Sequence, residues 1–193
     1  PIILGHVLLG APAAWAFAKF HFRGKKILYT LYIVLMLMPF QVTMVSSYLV
    51  LNKLGLIDTV WAVILPGAAS TLPVFIMTRF FMDIPEAVME AAAVDGASSF
   101  QTFLRFGLPL GAPGILSAVV LGFLEYWNAI EAPQAFLKNQ ALWPLSLYMS
   151  NITADNAGVS LIASLITLMP PLLIFLSGQK YLEQGIISSG MKD

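Results

Sequence analysis

The residues best suited to binding a small molecule lie near the end of the fourth long apolar stretch of the sequence. Glu125 and Asn128 are three positions apart, so an α-helix would place both on one face, with the indole of Trp127 beside them. Ionisable residues are rare in such stretches and are candidates for a functional site. We predict that these side chains bind the hydroxyl groups of a solute along a path through the protein. The alternatives are that Glu125 bonds a neighbouring helix or reaches the aqueous boundary beside Glu131.

A second set of polar residues interrupts the second apolar stretch. It consists of Gln41, Thr43, Ser46 and Ser47. These side chains can line the same solute path, in which case Gln41 is the residue predicted to contact the solute. Alternatively, they can form hydrogen bonds between helices. Both interpretations are compatible with the sequence.

Patterns typical of catalysis, nucleotide binding or metal binding are not found. The Gly24-Lys25 pair fails as part of a P-loop, because Lys26 occupies the position that Ser or Thr must hold. His6 and His21 are isolated and predict no metal site, and the sequence contains no cysteine and no evident Ser-His-Asp set. We therefore expect no catalytic residues, no cofactor bound by this chain and no enzymatic activity.

The composition indicates a membrane protein. The chain has 193 residues, of which 59% are hydrophobic and only 10% are charged, and its mean hydropathy is +0.83. Soluble domains have about 25% charged residues, so this chain lacks the polar side chains that an aqueous surface requires. The formal net charge is zero, which argues against nucleic-acid binding.

The apolar residues form stretches long enough to cross a membrane. Crossing about 30 Å of hydrocarbon takes about 20 mostly apolar helical residues. Five stretches qualify: Ile2 to about Phe20, Ile27 to about Leu51, Val60 to about Met82, Leu110 to about Ile130, and Val159 to about Leu176. We therefore predict an all-α fold, a polytopic bundle of membrane-spanning helices embedded in lipid.

The basic residues predict the orientation of these spans. Eight of the ten fall on one side: Lys19, Arg23, Lys25, Lys26, Arg79, Arg105, Lys180 and Lys192. Only Lys53 and Lys138 fall on the other side. Because basic residues concentrate in cytoplasmic connections, we predict that residues 83–108 and the tail at 179–193 are cytoplasmic. The loop at 132–156 would then lie outside.

Two helices are predicted within the polar segment 83–108. Asp83 and Glu86 are spaced as a capping box, and a helix from there would run to about Asp95 and end at Gly96. A second capping box begins at Ser98, and its helix is predicted to end near Gly107, before the next span.

The first of these helices has a flat surface. Ala87, Ala91 and Val94 share one face, and Glu86 and Glu90 add negative charge beside it. A small-residue face of this kind lets a partner approach closely. We predict that the segment docks another protein in the cytoplasm.

The polar segment resembles the E-A-A motif of permease subunits in bacterial binding-protein-dependent ABC importers. That pattern is E-A-A, three residues, G, nine residues, and then I-x-L-P. The matching residues are Glu90, Ala91, Ala92, Gly96, Leu108 and Pro109, and Phe106 stands at the isoleucine position.

The resemblance covers essentially the whole chain. It extends to Phe22-Arg23-Gly24-Lys25-Lys26, Met38-Pro39-Phe40-Gln41, Leu54-Gly55-Leu56, Ile64-Leu65-Pro66, Trp127-Asn128 and the tail around Tyr181–Gly190. These segments look like the carbohydrate-importer branch, and most like the partner subunit of the maltose and glycerol-3-phosphate type.

The resemblance implies the fold and the extent of the subunit. It implies the type I ABC importer permease fold, with residues 1–193 forming a single transmembrane permease domain. Such subunits have six spans, so the five spans found here lead us to expect a chain that lacks its N-terminal part. The expected location is the bacterial inner membrane, as a multi-pass protein with a cytoplasmic C-terminus.

The resemblance also implies the mechanism and the partners. Residues 83–108 would form coupling helices that dock on a cytoplasmic ABC ATPase dimer, which uses the ATP, and a second permease subunit and an extracytoplasmic solute-binding protein would complete the importer. The docking residues would be Glu86, Glu90, Ala91, Ala92, Asp95, Gly96, Leu108 and Pro109. The rival hypothesis is a secondary transporter or channel without an ATPase, but the sequence has no convincing inverted repeat and no paired intramembrane charges.

Overall fold

The computed structural model describes residues 1–150 and 157–190, and the secondary structure within these ranges is helical, without a β-strand. In chain order the helices are α1 (Ile2–Lys19), α2 (Lys25–Leu37), α3 (Phe40–Lys53), α4 (Trp61–Met82), α5 (Glu86–Val94), α6 (Ser99–Leu110), α7 (Ala112–Trp127), α8 (Glu131–Phe136), α9 (Leu145–Ser150) and α10 (Ala157–Gly190). The prediction of an all-α fold is confirmed.

Among the described residues, three helical stretches are long and apolar enough to cross a membrane. They are Ile2–Lys19, Trp61–Met82 and Leu161–Glu183. Two bent pairs of helices also have the required length and composition, so the number of spans is up to five when each bent pair counts as one. The predicted number of spans agrees with this upper count.

The second predicted span is broken, and the fourth is bent sharply away from the helix that precedes it. α2 and α3 meet at 105°, because Met38 precedes Pro39 and adopts an extended conformation that ends the helix. α6 and α7 meet at 70°, and the break lies at Gly111. The stretch predicted as the second span therefore consists of two helices, whereas the fourth predicted span contains the single helix α7, and its bend lies at the start of that span.

The core lies where α1, α4 and α6 meet. Its centre is aromatic: the rings of Trp15 and Phe81 pack edge to face at 5.3 Å, and Phe103 contacts both. All three side chains are buried. Since edge-to-face ring pairs have preferred geometries, this cluster determines the orientation of α6 relative to α1 and α4.

Small residues bring α7 close to its neighbours. A Cβ atom at Gly114 would lie 2.5 Å from the Phe80 side chain of α4, and one at Gly178 of α10 would lie 2.3 Å from Val120 of α7. Such close backbone approach is typical of helix packing inside membranes.

α10 differs from the predicted C-terminal tail. The helix continues from the last span through residue 190, so residues 179–190 extend α10, and the remaining three residues of the predicted tail lie outside the described ranges. Within its apolar part Leu161, Leu165 and Ile166 are all more than 60% exposed. Lipid hydrocarbon is the environment that suits such a surface.

Candidate functional site

The first candidate site is the polar loop, residues 83–108. Its helix α5 begins at Glu86 with Pro85 at the N-cap position, and no side chain caps this end. The predicted capping box of Asp83 and Glu86 is therefore wrong, because the N-cap is two residues later than expected. Pro85 supplies an extended residue before the helix, which is enough to start it there.

The predicted end of α5 at Gly96 is confirmed. Gly96 has φ +76°, its N–H donates to the Ala93 carbonyl at 3.0 Å, and the N–H of Ala97 donates to the Ala92 carbonyl at 2.9 Å. This pair of hydrogen bonds is a Schellman motif, which turns the chain sharply toward α6. Nothing lies within 4 Å of a Cβ atom built at Gly96, so only its backbone conformation requires glycine.

The predicted capping box at Ser98 is also confirmed. The Gln101 N–H donates to Ser98 Oγ at 3.3 Å, and the Ser98 N–H donates to Gln101 Oε1 at 2.9 Å. The sequence predicted that this helix would end near Gly107, and that prediction is wrong. The helix continues through a π-helical turn at Phe103–Gly107 to Leu110. The second helix of the polar loop thus extends to the start of the fourth predicted span.

α5 has two contrasting faces. Ala92 is 2% exposed, and Val88 and Met89 pack against the aromatic core. The opposite side, which we call the exposed face of α5, consists of Glu86, Ala87, Glu90, Ala91, Ala93 and Val94. In α5 and the turn that follows it, the predicted docking residues Glu86, Glu90, Ala91, Asp95 and Gly96 are exposed, whereas Ala92 anchors the helix.

Two large apolar side chains are exposed at the tip of the polar loop. Val94 is 87% exposed and Phe100 is 67% exposed, on either side of the turn at Gly96. Exposed polar and charged residues surround them, including Glu90 and Asp95. Apolar groups rimmed by polar residues are typical of a protein interaction site.

Leu108 and Pro109 are not at this tip. They lie at the far end of α6, roughly 14 Å along the helix axis from its first residue. Leu108 packs against the core, and Pro109 is exposed. The structure thus separates the two halves of the predicted docking motif.

The loop is also tied to the end of α1. The ammonium of Lys19 donates a hydrogen bond to the carbonyl oxygen of Ile84, the residue that links α4 to α5. The Ile84 side chain is buried in the aromatic core. The start of the polar loop is therefore attached to both α1 and α4.

The second candidate site is a cavity of about 640 Å³. It lies beside the break between α2 and α3 and the irregular turn of α4 at residues 69–70. Its polar lining comes from Thr43, Ser47, Ser70, Thr71, Glu125 and Tyr126. Hydroxyl groups and one carboxylate in a mainly apolar wall are suited to holding a small polar solute.

The structure brings only part of the predicted solute patch to this cavity. Glu125 lines it, as do Thr43 and Ser47 from the second polar set. Trp127 instead donates its indole N–H to the Thr167 carbonyl of α10 at 3.1 Å, and Asn128 donates to the Leu124 carbonyl at 2.8 Å. Gln41 donates to Glu131 Oε1 at 2.6 Å, which joins α3 to α8.

His6 has a structural role that its isolated position in the sequence did not indicate. It is 1% exposed, and its Nε2 atom lies 2.8 Å from the carbonyl oxygen of Gly67 in α4. Tyr126 of α7 reaches the same oxygen at 3.4 Å. A polar residue within an apolar span was the available signal, since such residues usually face the interior of the bundle.

A bent helical membrane bundle that combines a structured polar loop with a polar-lined cavity defines a polytopic transport protein. Residues 6–188 match the family described as the inner membrane component of binding-protein-dependent transport systems, and the chain belongs to that family. The predicted resemblance is thereby confirmed, and the chain is a transport permease subunit rather than an enzyme.

Several curated relatives are sugar permeases. The chain is 26% identical over 194 residues to the arabinooligosaccharides transport system permease protein AraQ of Halalkalibacterium halodurans, covering 99% of this chain and 70% of the relative. It is 30% identical over 191 residues to the diacetylchitobiose uptake system permease protein NgcG of Streptomyces coelicolor, covering 95% and 63%. It is 33% identical over 193 residues to a probable ABC transporter permease protein of Pyrococcus horikoshii, covering 97% and 70%.

A solved structure has the same fold. It is the crystal structure of a bacterial ABC transporter involved in the import of the acidic polysaccharide alginate. The TM-score is 0.78 at 22% sequence identity, over 92% of this chain and 69% of that one. The ABC importer permease fold predicted from the sequence is thus confirmed. The chain spans 63–70% of the length of these relatives and of this structure.

Proposed function

We propose that the chain is the membrane-spanning subunit of an ATP-driven importer that passes a carbohydrate or related small solute across the inner membrane by alternating access. The observation that carries the proposal is the exposure of Val94 and Phe100 in the polar loop. Lipid does not explain this exposure, because Glu86 and Glu90 are exposed on the same loop. A protein partner in the aqueous phase accounts for both kinds of residue.

The partner on this side is a cytoplasmic ABC ATPase dimer, which binds and hydrolyses the ATP. Burial of one Phe side chain is worth about 1.5–3 kcal/mol, so Phe100 alone would contribute substantially to docking. The exposed face of α5 would lie against the same partner, with Glu86 and Glu90 beside basic or hydrogen-bonding groups. A second permease subunit and an extracytoplasmic solute-binding protein complete the proposed assembly.

Packing in the polar loop supports coupling between the ATPase and the spans. Val88 and Met89 of α5 pack against the aromatic core, and Ile84 is buried within it. Lys19 holds the Ile84 carbonyl from the end of α1. Because packed cores resist gradual deformation, a displacement of α5 would move α1 and α4 with it.

The cavity beside Glu125 is the proposed solute path. Its hydroxyl groups and carboxylate suit a polyhydroxylated solute, and the names of two relatives specify arabinooligosaccharide transport and diacetylchitobiose uptake. Glu125 would contact the solute, whereas Trp127 and Gln41 would hold the surrounding helices through the hydrogen bonds described above, and Asn128 would only bond its own helix. The proposed orientation places the polar loop and the C-terminus in the cytoplasm.

The proposal is tested by the charge reversal Glu90→Lys in the assembled transporter, with Glu90→Gln as the matched control. We expect Glu90→Lys to abolish solute-stimulated ATP hydrolysis and uptake, while insertion into the membrane is unchanged. Glu90→Gln should retain most of both activities, because it keeps the side chain's shape without a repulsive charge. Normal uptake by Glu90→Lys, or uptake by the permease without any ATPase, would contradict the proposal and favour a secondary transporter.

A further inference from the structure

A second open cavity lies at the C-terminal end of α1, where Lys19 contacts the polar loop. It has a volume of about 540 Å³ and is formed by the end of α1, the α1–α2 connection, the first turns of α2 and the end of α4. We call it the basic pocket and define it by Phe17, Phe22, Lys25, Lys26, Tyr29 and Met82. None of these residues belongs to the polar loop or to the cavity beside Glu125.

The basic pocket carries two positive charges at the N-terminal end of a helix. Lys25 and Lys26 form the start of α2, and the first turn of that helix contains no acidic residue and no side-chain cap. The N-terminal end of a helix carries a partial positive charge, so two lysines there repel both one another and the helix. A bound anion would remove this repulsion.

The lysine side chains can reach an anion in the pocket. Lys25 Nζ donates to the Phe20 carbonyl at 3.0 Å, which holds this ammonium beside the α1–α2 connection. Lys26 is exposed. Both residues line the cavity, so their remaining donors are available to a single ligand.

A hydroxyl group in the pocket lining also lacks a partner. The side-chain oxygen of Tyr29 is buried and forms no hydrogen bond within the described residues. Buried hydroxyl groups nearly always have a partner, so this one is consistent with an acceptor that the chain does not supply. A phosphate oxygen is an acceptor of the required kind.

The rest of the pocket is apolar. Phe17, Phe22 and Met82 form its wall, and the Phe17 and Phe22 rings contact one another at 6.3 Å. Ile27, also in the lining, is 75% exposed. An inorganic anion gains nothing from contact with an apolar wall, whereas an acyl chain is stabilised by burial against it. The pocket thus combines a cationic rim with an apolar surface at the end of three spans.

We propose that the basic pocket binds an anionic glycerophospholipid, with its phosphate at Lys25 and Lys26 and an acyl chain along Phe17, Phe22 and Met82. Basic pockets between membrane helices are sites of this kind. The inference depends on the membrane location of the subunit. The proposed orientation adds that the lipid comes from the cytoplasmic leaflet.

Lipid counting tests the site. The assembled transporter in detergent is titrated with phosphatidylglycerol, phosphatidylcholine or inorganic phosphate, and bound molecules are counted by native mass spectrometry. We expect phosphatidylglycerol to bind in preference to phosphatidylcholine, and the double variant Lys25→Gln/Lys26→Gln to bind it about tenfold or more weakly. Lys25→Arg/Lys26→Arg should retain the binding, and Phe22→Ser should weaken it.

The matched control is Arg105→Gln/Lys180→Gln, which removes the same charge from exposed positions outside the pocket. Unchanged phosphatidylglycerol affinity in Lys25→Gln/Lys26→Gln, or an equal loss in the control, would overturn the proposal. Saturation of the site by inorganic phosphate would show an anion site instead. Loss of the ATPase or second permease from the lysine variant would show a protein contact. Solute-stimulated ATP hydrolysis, measured separately, tests the proposed transport function independently.

Discussion

The imidazole Nε2 atom of His6 lies 2.8 Å from the carbonyl oxygen of Gly67, and this contact joins α1 to α4 in the interior of the bundle. Tyr126 of α7 reaches the same oxygen at 3.4 Å, so three spans meet at one acceptor. This acceptor lies just before residues 69–70, where α4 is irregular beside the cavity of Glu125. We infer that His6 holds the irregular turn of α4 in place.

The packing around His6 predicts the effect of Gly122→Ala. A Cβ atom at position 122 would lie 2.7 Å from His6 Nδ1, so the imidazole would have to move away from Gly67. Overpacking of this kind costs about 1–3 kcal/mol. We expect a lower apparent melting temperature of the purified complex. Gly158→Ala is the control, because a Cβ atom built at Gly158 has no neighbouring atom within 4 Å. Equal melting temperatures for the two variants would contradict the role of His6.

The turn of the polar loop predicts a coupling defect in Gly96→Val. The left-handed backbone at φ +76° is disfavoured for L-residues by about 1–2 kcal/mol and more so for β-branched ones, so valine would misalign α5 and α6. We expect solute-stimulated ATP hydrolysis to be lost while the subunit still inserts. Gly96→Asn should retain most of the stimulation, since asparagine tolerates this conformation. Equal activities in the two variants would argue against a conformational role.

The exposed apolar pair at the loop tip predicts which residues hold the ATPase. Val94→Asp and Phe100→Asp should each reduce co-purification of the ATPase, because each places a charge where an apolar contact is proposed. A loss of about 2 kcal/mol corresponds to roughly thirtyfold weaker association. Ser99→Asp adds the same charge to an exposed neighbour at the start of α6 and should have little effect. Similar losses in all three variants would indicate a general charge effect.

The cysteine-free sequence allows a direct test of orientation. Single cysteines at Ser99 and Gln140, both exposed, lie in the polar loop and in the loop predicted outside. In intact cells, a membrane-impermeant thiol reagent should label the cysteine at position 140 and leave the one at position 99 unlabelled. Labelling at both positions after the membrane is opened is the control. Labelling at position 99 in intact cells would place the polar loop outside and exclude an ATPase partner there.

Local patterns in the sequence predicted the polar loop well. The Ser98 capping box and the glycine turn at Gly96 depend on residues within a few positions, so spacing alone determines them. The start of α5 was misplaced, because Pro85 competed with Asp83 for the N-cap position. The 105° break at Pro39 could not be predicted for a different reason: hydropathy reflects the length of an apolar stretch and not the direction of its helix, so a bent span and a straight one have the same profile.

The candidate solute patch was harder to predict. Helical spacing placed Glu125 and Asn128 on one face, but spacing cannot show which neighbour a side chain meets. Asn128 bonds its own helix, and Trp127 bonds α10 across the bundle. The role of His6 depends on Gly67, which is 61 positions away in sequence. Contacts of this range follow from tertiary packing alone.

The cavity predicts that Glu125 acts in transport and that Asn128 does not. Glu125 lines the cavity, whereas the Asn128 amide donates to the Leu124 carbonyl of its own helix. Glu125→Ala should therefore slow solute uptake, while the yield of assembled complex and its basal ATP hydrolysis stay near those of the unmodified protein. Asn128→Ala is the matched control and should leave uptake nearly unchanged.

Uptake and complex yield must be measured together, since a structural role makes a different prediction. If Glu125 bonded a neighbouring helix, its removal would strand a buried polar group at a cost of about 1–3 kcal/mol, and yield would fall. A loss of uptake in proportion to a loss of yield would then exclude Glu125 from the solute path. Glu125→Gln refines the test, because an amide keeps hydrogen bonding to solute hydroxyl groups but removes the charge. Uptake near normal in Glu125→Gln, together with slow uptake in Glu125→Ala, would indicate that hydrogen bonding rather than charge holds the solute.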